Sequence, residues 1–273
     1  MLSKFLKIIL VLFLFYQSPL YSKSNSLNKF NSDDFSNYFS GIVAFENKEN
    51  LKALKFFKSS RFLIKNHELY LKRYVYSLIL DGKIQWATKE IKQNLTENNS
   101  NFFELHLMLA LDSLKKKNYK KSKEHLQRSY AFINNDKIQL IIAETLKQYL
   151  YTFEEKKIVK TKKKFGNFSF INEVFQRCYL NDKNTKNYYE SLVNNEDDMD
   201  YSRYTFFYLN FLIENNRYDE AKKITDNLNY LKSSLLISQV KYWIENKKLN
   251  EFTKVFSCKN SNDVVSELFF LVA

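Results

Sequence analysis

Small and bulky apolar residues recur along this chain at near-constant intervals. Ala53 and Ala87 lie 34 residues apart, and Ser122 follows 35 later. Each is followed four residues on by a bulky apolar side chain, Phe57, Ile91 or Leu126. Twelve residues before them stand Gly41, Val75 and Ala110. Positions four apart share a helix face. A small residue twelve before another predicts two antiparallel helices in close backbone approach, and the bulky residue one turn later fills the gap to the next pair. The periodicity places units at 34–67, 68–101 and 103–136. It continues into Ile142-Ala143, breaks after Phe153, and returns in Tyr204–Ile213, with Tyr218 and Ala221 in the relation of Tyr119 and Ser122. A weaker unit contains Trp243 and then KKLNEFTKVF, where Phe252 takes the small slot and predicts looser packing.

A period of 34 with Gly41, Ala53 and Phe57, then Ala87 and Ile91, then Leu109-Ala110, Ser122 and Leu126, resembles the tetratricopeptide repeat (TPR). The resemblance implies an all-α, right-handed solenoid of stacked antiparallel helix pairs whose concave face holds a partner segment. In the consensus register we place Asn37, Ala44, Leu71, Leu78 and Ser113 on that groove. Gly41, Ala53, Phe57, Ala87, Ile91, Leu109, Ala110, Ser122, Leu126 and Ala221 carry the repeat packing. No proline closes a unit, and only the first has the glycine.

Composition agrees with a helical reading. Only 3 Gly and 1 Pro occur in 273 residues, which predicts few tight turns and excludes a glycine-rich phosphate loop. The 27% charged fraction argues against a multi-span membrane protein.

The N-terminal stretch reads as an address. Lys4 and Lys7 precede the apolar run Ile8–Tyr16, and YQSPLYS follows. This is the three-part pattern of a secretory signal peptide. We assign 1–22 as signal peptide, uncleaved anchor being the alternative, 23–33 as a flexible leader, 34–152 as N-terminal repeats, 153–168 as a basic linker and 169–273 as C-terminal repeats. The expected compartment is a bacterial periplasm or cell envelope. The chain ends on the apolar run LFFLVA, which in a solenoid predicts either a longer array or burial against a partner.

The net charge is +13. The run Lys156–Lys164 holds Lys156, Lys157, Lys160, Lys162, Lys163 and Lys164. It reads first as a solvated linker and alternatively as a contact for anionic membrane or a polyanion. Without arginine it offers no specific base readout, and no nucleic-acid partner is expected. The acids Glu196, Asp197, Asp198 and Asp200 lack calcium-loop spacing. His67, His106 and His125 share no metal or catalytic spacing. Cys178 and Cys258, 80 residues apart in non-adjacent units, are expected unpaired, with Cys178 a core thiol. The aromatics Tyr204, Phe206, Phe207, Tyr208 and Phe211 read as core. Asn94-Leu-Thr, Asn98-Asn-Ser and Asn167-Phe-Ser match the glycosylation triplet at a frequency chance supplies. No catalytic constellation, cofactor or small-molecule ligand is expected. The expectation is a non-enzymatic scaffold that binds a protein or peptide.

Overall fold

The computed structural model describes residues 31–65, 67–96, 102–160, 165–194, 202–227 and 235–273. The signal peptide, most of the leader, the acids between 196 and 200, Lys162–Lys164 and the triplet at Asn98 lie outside the described residues. The fold is all-α, with fourteen α-helices and no strand among the described residues. None of these helices is long and apolar enough to cross a membrane. The chain forms two compact units, 1–83 and 84–273. Their division falls in the turn at Gly82 and Lys83 rather than in the lysine-rich stretch.

The first unit contains α1 (Ser32–Glu46), α2 (Asn50–Ser59), a 3-10 turn (Arg61–Lys65) and α3 (Glu68–Leu80). Asn31, inside the expected leader, already caps α1 by accepting from the Asp33 amide. Helix α2 packs on both α1 and α3, and α1 also touches α3. At Gly41 the ring of Phe57 from α2 comes close to the α1 backbone: a Cβ there would stand 2.8 Å from it. Tyr38 of α1 meets the Tyr70 ring at 5.8 Å and accepts a 2.8 Å hydrogen bond from Arg73. Tyr38 thus brings α1 against the first half of α3.

The second unit opens with α4 (Ile84–Asn94), α5 (Phe103–Lys115), α6 (Tyr119–Ser129) and α7 (Lys137–Glu155). It continues through α8 (Asn167–Leu180), α9 (Thr185–Val193), α10 (Ser202–Glu214) and α11 (Tyr218–Asn227), and ends with α12 (Leu235–Glu245), α13 (Asn250–Val255) and α14 (Ser261–Val272). Helices α5, α6 and α7 repeat the mutual packing of α1, α2 and α3. The Ser122 hydroxyl donates to the Ala110 carbonyl at 2.7 Å, so the twelve-residue spacing is a direct contact between paired helices. The ten repeat-packing residues are all buried. Phe252 is also fully buried, stacked on Phe206 and edge-on to Trp243. A large ring therefore fills the slot, and packing there is not loose.

Six helix-ending turns share one backbone form. Lys48, Gly82, Lys117, Asn181, Asn216 and Lys247 all have positive φ. In each turn the N–H of that residue bonds the carbonyl three back, and the next N–H bonds the carbonyl five back. Lys48→Phe45 with Glu49→Ala44, and Asn216→Ile213 with Arg217→Leu212, are two instances. This is the Schellman helix stop. The scarcity of glycine therefore does not limit the number of turns. A single left-handed Lys or Asn costs about 1–2 kcal/mol, and the two hydrogen bonds that satisfy orphan carbonyls offset it.

The lysine-rich stretch is anchored along its first half. The Gln176 side chain accepts from the Val159 amide at 2.7 Å and donates to the Val159 carbonyl at 3.1 Å. It also accepts from Thr152 at 2.7 Å, and Asn172 donates to Gln148. This buried amide ladder joins α7 to α8 in parallel and ties the connecting strand of chain to both. Helix α7 itself extends to Glu155, into the expected linker, and α8 begins at Asn167.

Candidate functional site

The stripe of first-helix residues that faces away from each helix pair is the part of the fold with geometry for holding another segment. In α10 it consists of Arg203, Asn210 and Glu214, which stand 13, 6 and 2 residues before the turn residue Asn216. All three reach the C-terminal segment. Arg203 makes a two-pronged ion pair with Glu267, Nε to Oε1 at 2.8 Å and Nη2 to Oε2 at 2.5 Å. Asn210 donates to the Phe256 carbonyl. Glu214 lies 3.7 Å from the Lys259 ammonium. The Arg203 guanidinium also covers the Phe270 ring at 3.8 Å.

The neighbouring helices contribute through the same face. Phe256 packs on Phe207 with ring centres 4.0 Å apart and on Phe175 of α8 at 5.7 Å. Cys178, at the end of α8, is disulfide-bonded to Cys258, with Cα atoms 5.8 Å apart. Helix α14 then packs along α7 and buries Val264, Val265 and Leu268. The expectation of unpaired cysteines is thus overturned. Neighbour-only contact holds for the helix pairs, but the segment after α13 returns across α10 and α8, so residues 80 apart in sequence meet. In α14, Val264, Val265 and Leu268 are covered from within the chain, whereas Phe269, Leu271 and Val272 are half-buried and Phe270 is exposed.

Burial sets the electrostatics of this seat. The Glu267 side chain is 1% exposed against 40% for Arg203. Loss of water pushes the Glu267 carboxyl above the usual carboxylate range, and the Arg203 pair only partly opposes this.

Counting back by the same offsets in the first unit gives Phe35, Ile42 and Glu46 on α1, and Leu69, Tyr76 and Leu80 on α3. This stripe is mostly apolar and open: Leu69 is 47% exposed and Leu80 66%, while Phe35, Ile42 and Tyr76 are half-buried. Lys72 holds its ammonium 5.6 Å from the Tyr76 ring centre.

The residues expected to line the groove lie elsewhere. Ala44, Leu71, Leu78 and Ser113 are buried and Asn37 is half-buried. An available signal was the register itself, since Leu71 and Leu78 fall on slots the repeat pattern fills with bulky packing residues. Lys156, Lys157 and Lys160 are exposed, with Lys156 donating to the Tyr179 hydroxyl at 2.9 Å and Lys160 lying 3.6 Å from Glu173. The five aromatics of α10 are all buried. His106 stacks on Phe132, and Asn94 is buried with its amide on the Glu90 carbonyl. No group of three or more His, Cys, Asp or Glu residues able to hold a metal ion occurs among the described residues. Comparison with protein-family models, curated proteins and solved structures finds no match for this chain.

Proposed function

We propose that this chain is an exported, non-enzymatic scaffold with a TPR-like, right-handed superhelical arrangement of its helix pairs. It holds an amphipathic helix of a partner protein on the stripe of Phe35, Ile42, Leu69, Tyr76 and Leu80. One observation carries the reading. In the second unit the equivalent stripe already holds a returning segment: Arg203 pairs with Glu267 of α14, while Asn210 and Glu214 reach Phe256 and Lys259 just before that helix. In the first unit the same register is mostly apolar, with Leu69 and Leu80 exposed. Helix α14 is therefore a template for the partner: bulky apolar residues on one face, here Val264, Val265 and Leu268. Helix-in-groove recognition works through such spaced apolar anchors. Export is supported by the Cys178–Cys258 bridge, because disulfides persist in oxidising compartments, and by the tripartite pattern of residues 1–22.

A fluorescent peptide carrying residues 259–273 tests this on the full chain. Binding is expected by anisotropy, and the double variant Leu69→Glu/Leu80→Glu should weaken it about tenfold or more, as loss of central anchors does. Both side chains are exposed, so the fold should survive the change. Absence of binding, or binding indifferent to the double variant, refutes the proposal.

A further inference from the structure

The turns of the second unit form one continuous edge. Lys123, in the second turn of α6, pairs with Glu154 near the end of α7. Lys156, capping α7, reaches Tyr179 at the end of α8. Beyond the α8–α9 turn, Lys186 pairs with Glu220 at 2.7 Å, beside the α10–α11 turn. The Tyr218 hydroxyl then donates to the Ile244 carbonyl at 2.6 Å, beside the α12–α13 turn. Successive helix ends are thus neighbours in space, although the sequence scatters them over more than a hundred positions.

Positive charge concentrates at one end of this edge. Lys115, Lys117, Lys120, Lys121, Lys157 and Lys183 are all exposed, and none makes an ion pair among the described residues. The acids around them are largely taken. Asp112 is held by Lys92 and Lys116, Glu154 by Lys123, and both Glu173 and Asp182 by Arg177. Glu124 and Glu155 are the exposed acids left in the patch, against six exposed lysines. Three separate lysine clusters, at 115–121, at 156–160 and at 183, therefore present a single field. The fold gathers these charges without using Lys162–Lys164.

We infer that this edge docks the second unit onto an anionic lipid surface. The chemistry favours phosphate headgroups over a linear polyanion. Six ammonium groups are spread as point charges over the α5–α6 turn, the end of α7 and the α8–α9 turn, with no arginine fork and no groove to track a strand. Amphipathic rings stand among them: Tyr151 is 39% exposed, and the Tyr179 ring lies 4.7 Å beneath the Lys156 ammonium. Lysines near a membrane surface add roughly independent attractions that fall off within a Debye length. The inference does not depend on the helix-binding proposal, which concerns the first unit.

Co-sedimentation of the full chain with phosphatidylglycerol-containing vesicles, against pure phosphatidylcholine vesicles, tests it. Binding to the anionic vesicles alone is expected, with a loss of about tenfold or more when the Debye length is shortened by salt. The triple variant Lys115→Glu/Lys117→Glu/Lys120→Glu should lose binding about a hundredfold. A charge-matched control, Lys52→Glu/Lys55→Glu/Lys58→Glu on α2, should stay within about threefold of the parent. Glutamine at the same three edge positions, with circular dichroism on every variant, separates lost charge from lost fold. Equal loss in both triple variants would mean that net charge alone acts, and would overturn the inference. So would absence of vesicle binding, or capture of soluble polyphosphate by a chain that ignores vesicles.

Discussion

Glu267 and Glu220 titrate with opposite signs, and the contrast follows from where each carboxylate sits. Burial raises the Glu267 pKa above its ordinary 4.5. The folded chain then holds the proton more tightly than the unfolded one just above that value, so its charge costs stability at neutral pH and acid relieves the cost. Replacing Arg203 by Met leaves a buried carboxylate unpaired and should destabilise the chain by about 3 kcal/mol. Denaturant midpoints should show a smaller deficit at about pH 5 than at about pH 8; a pH-independent deficit would contradict the pairing. Glu220 runs the other way. Hydrogen bonds from Arg217 and Lys186 hold it down to about 2. Its contribution is present above the unfolded value of 4.5 and is lost as the pH falls toward 2. The variant Glu220→Gln should flatten that acid limb, and an unchanged limb would count against it. Its 41% exposure keeps the effect small. At Gly41 the test is steric. The variant Gly41→Ala drives a methyl into the Phe57 ring and should cost about 1–3 kcal/mol by chemical denaturation. These sites differ in legibility. Gly41, Ala53 and Phe57 stand out by spacing, because a close approach needs a small residue at a fixed offset. Glu267 does not, since nothing local says that a carboxylate near the chain's end is buried.

At the scale of elements, the helix pairs were readable and their stops were not. Asn31, Asn118, Asp136 and Asn260 each accept from the first backbone amides of a helix, and such caps are visible in a sequence. The six left-handed turns were hidden because Lys occupies three of them, a residue with no preference for that conformation. Helix α14 is the element whose role changed most. Its apolar face reads as uncovered, yet it lies on α7 and is bridged to α8 through Cys258. Converting both Cys178 and Cys258 to Ser should lower stability by about 2–4 kcal/mol. Hydrogen exchange should then accelerate in α14 more than in α5 or α6. Uniform acceleration across the second unit would mean that the bridge does not hold this one helix.

Taken as a whole molecule, the chain divides at Lys83 and Ile84 rather than in its lysine-rich stretch. Gln176 explains the continuity of the second unit, since it satisfies the Val159 backbone while bonding Thr152. The α14 segment is drawn back to α7, α8 and α10 by packing, the disulfide and the Arg203 pair, so contacts in that unit are not confined to sequence neighbours. We therefore expect two unfolding steps by amide exchange in denaturant, with α1–α3 opening separately from α7–α14. A single coincident transition would show that the division has no energetic meaning. The sequence by itself determined the helical class, the pairing of helices at a 34-residue period and the small residues at their crossings. Those features rest on local propensity and on contacts between near neighbours, which a repeating pattern records. Only the tertiary structure decided the Cys178–Cys258 bridge, the seat of α14, the open stripe of the first unit and the gathering of lysines along one edge. Each joins positions tens of residues apart through the path of the backbone, and no periodic signal encodes where a chain turns back on itself.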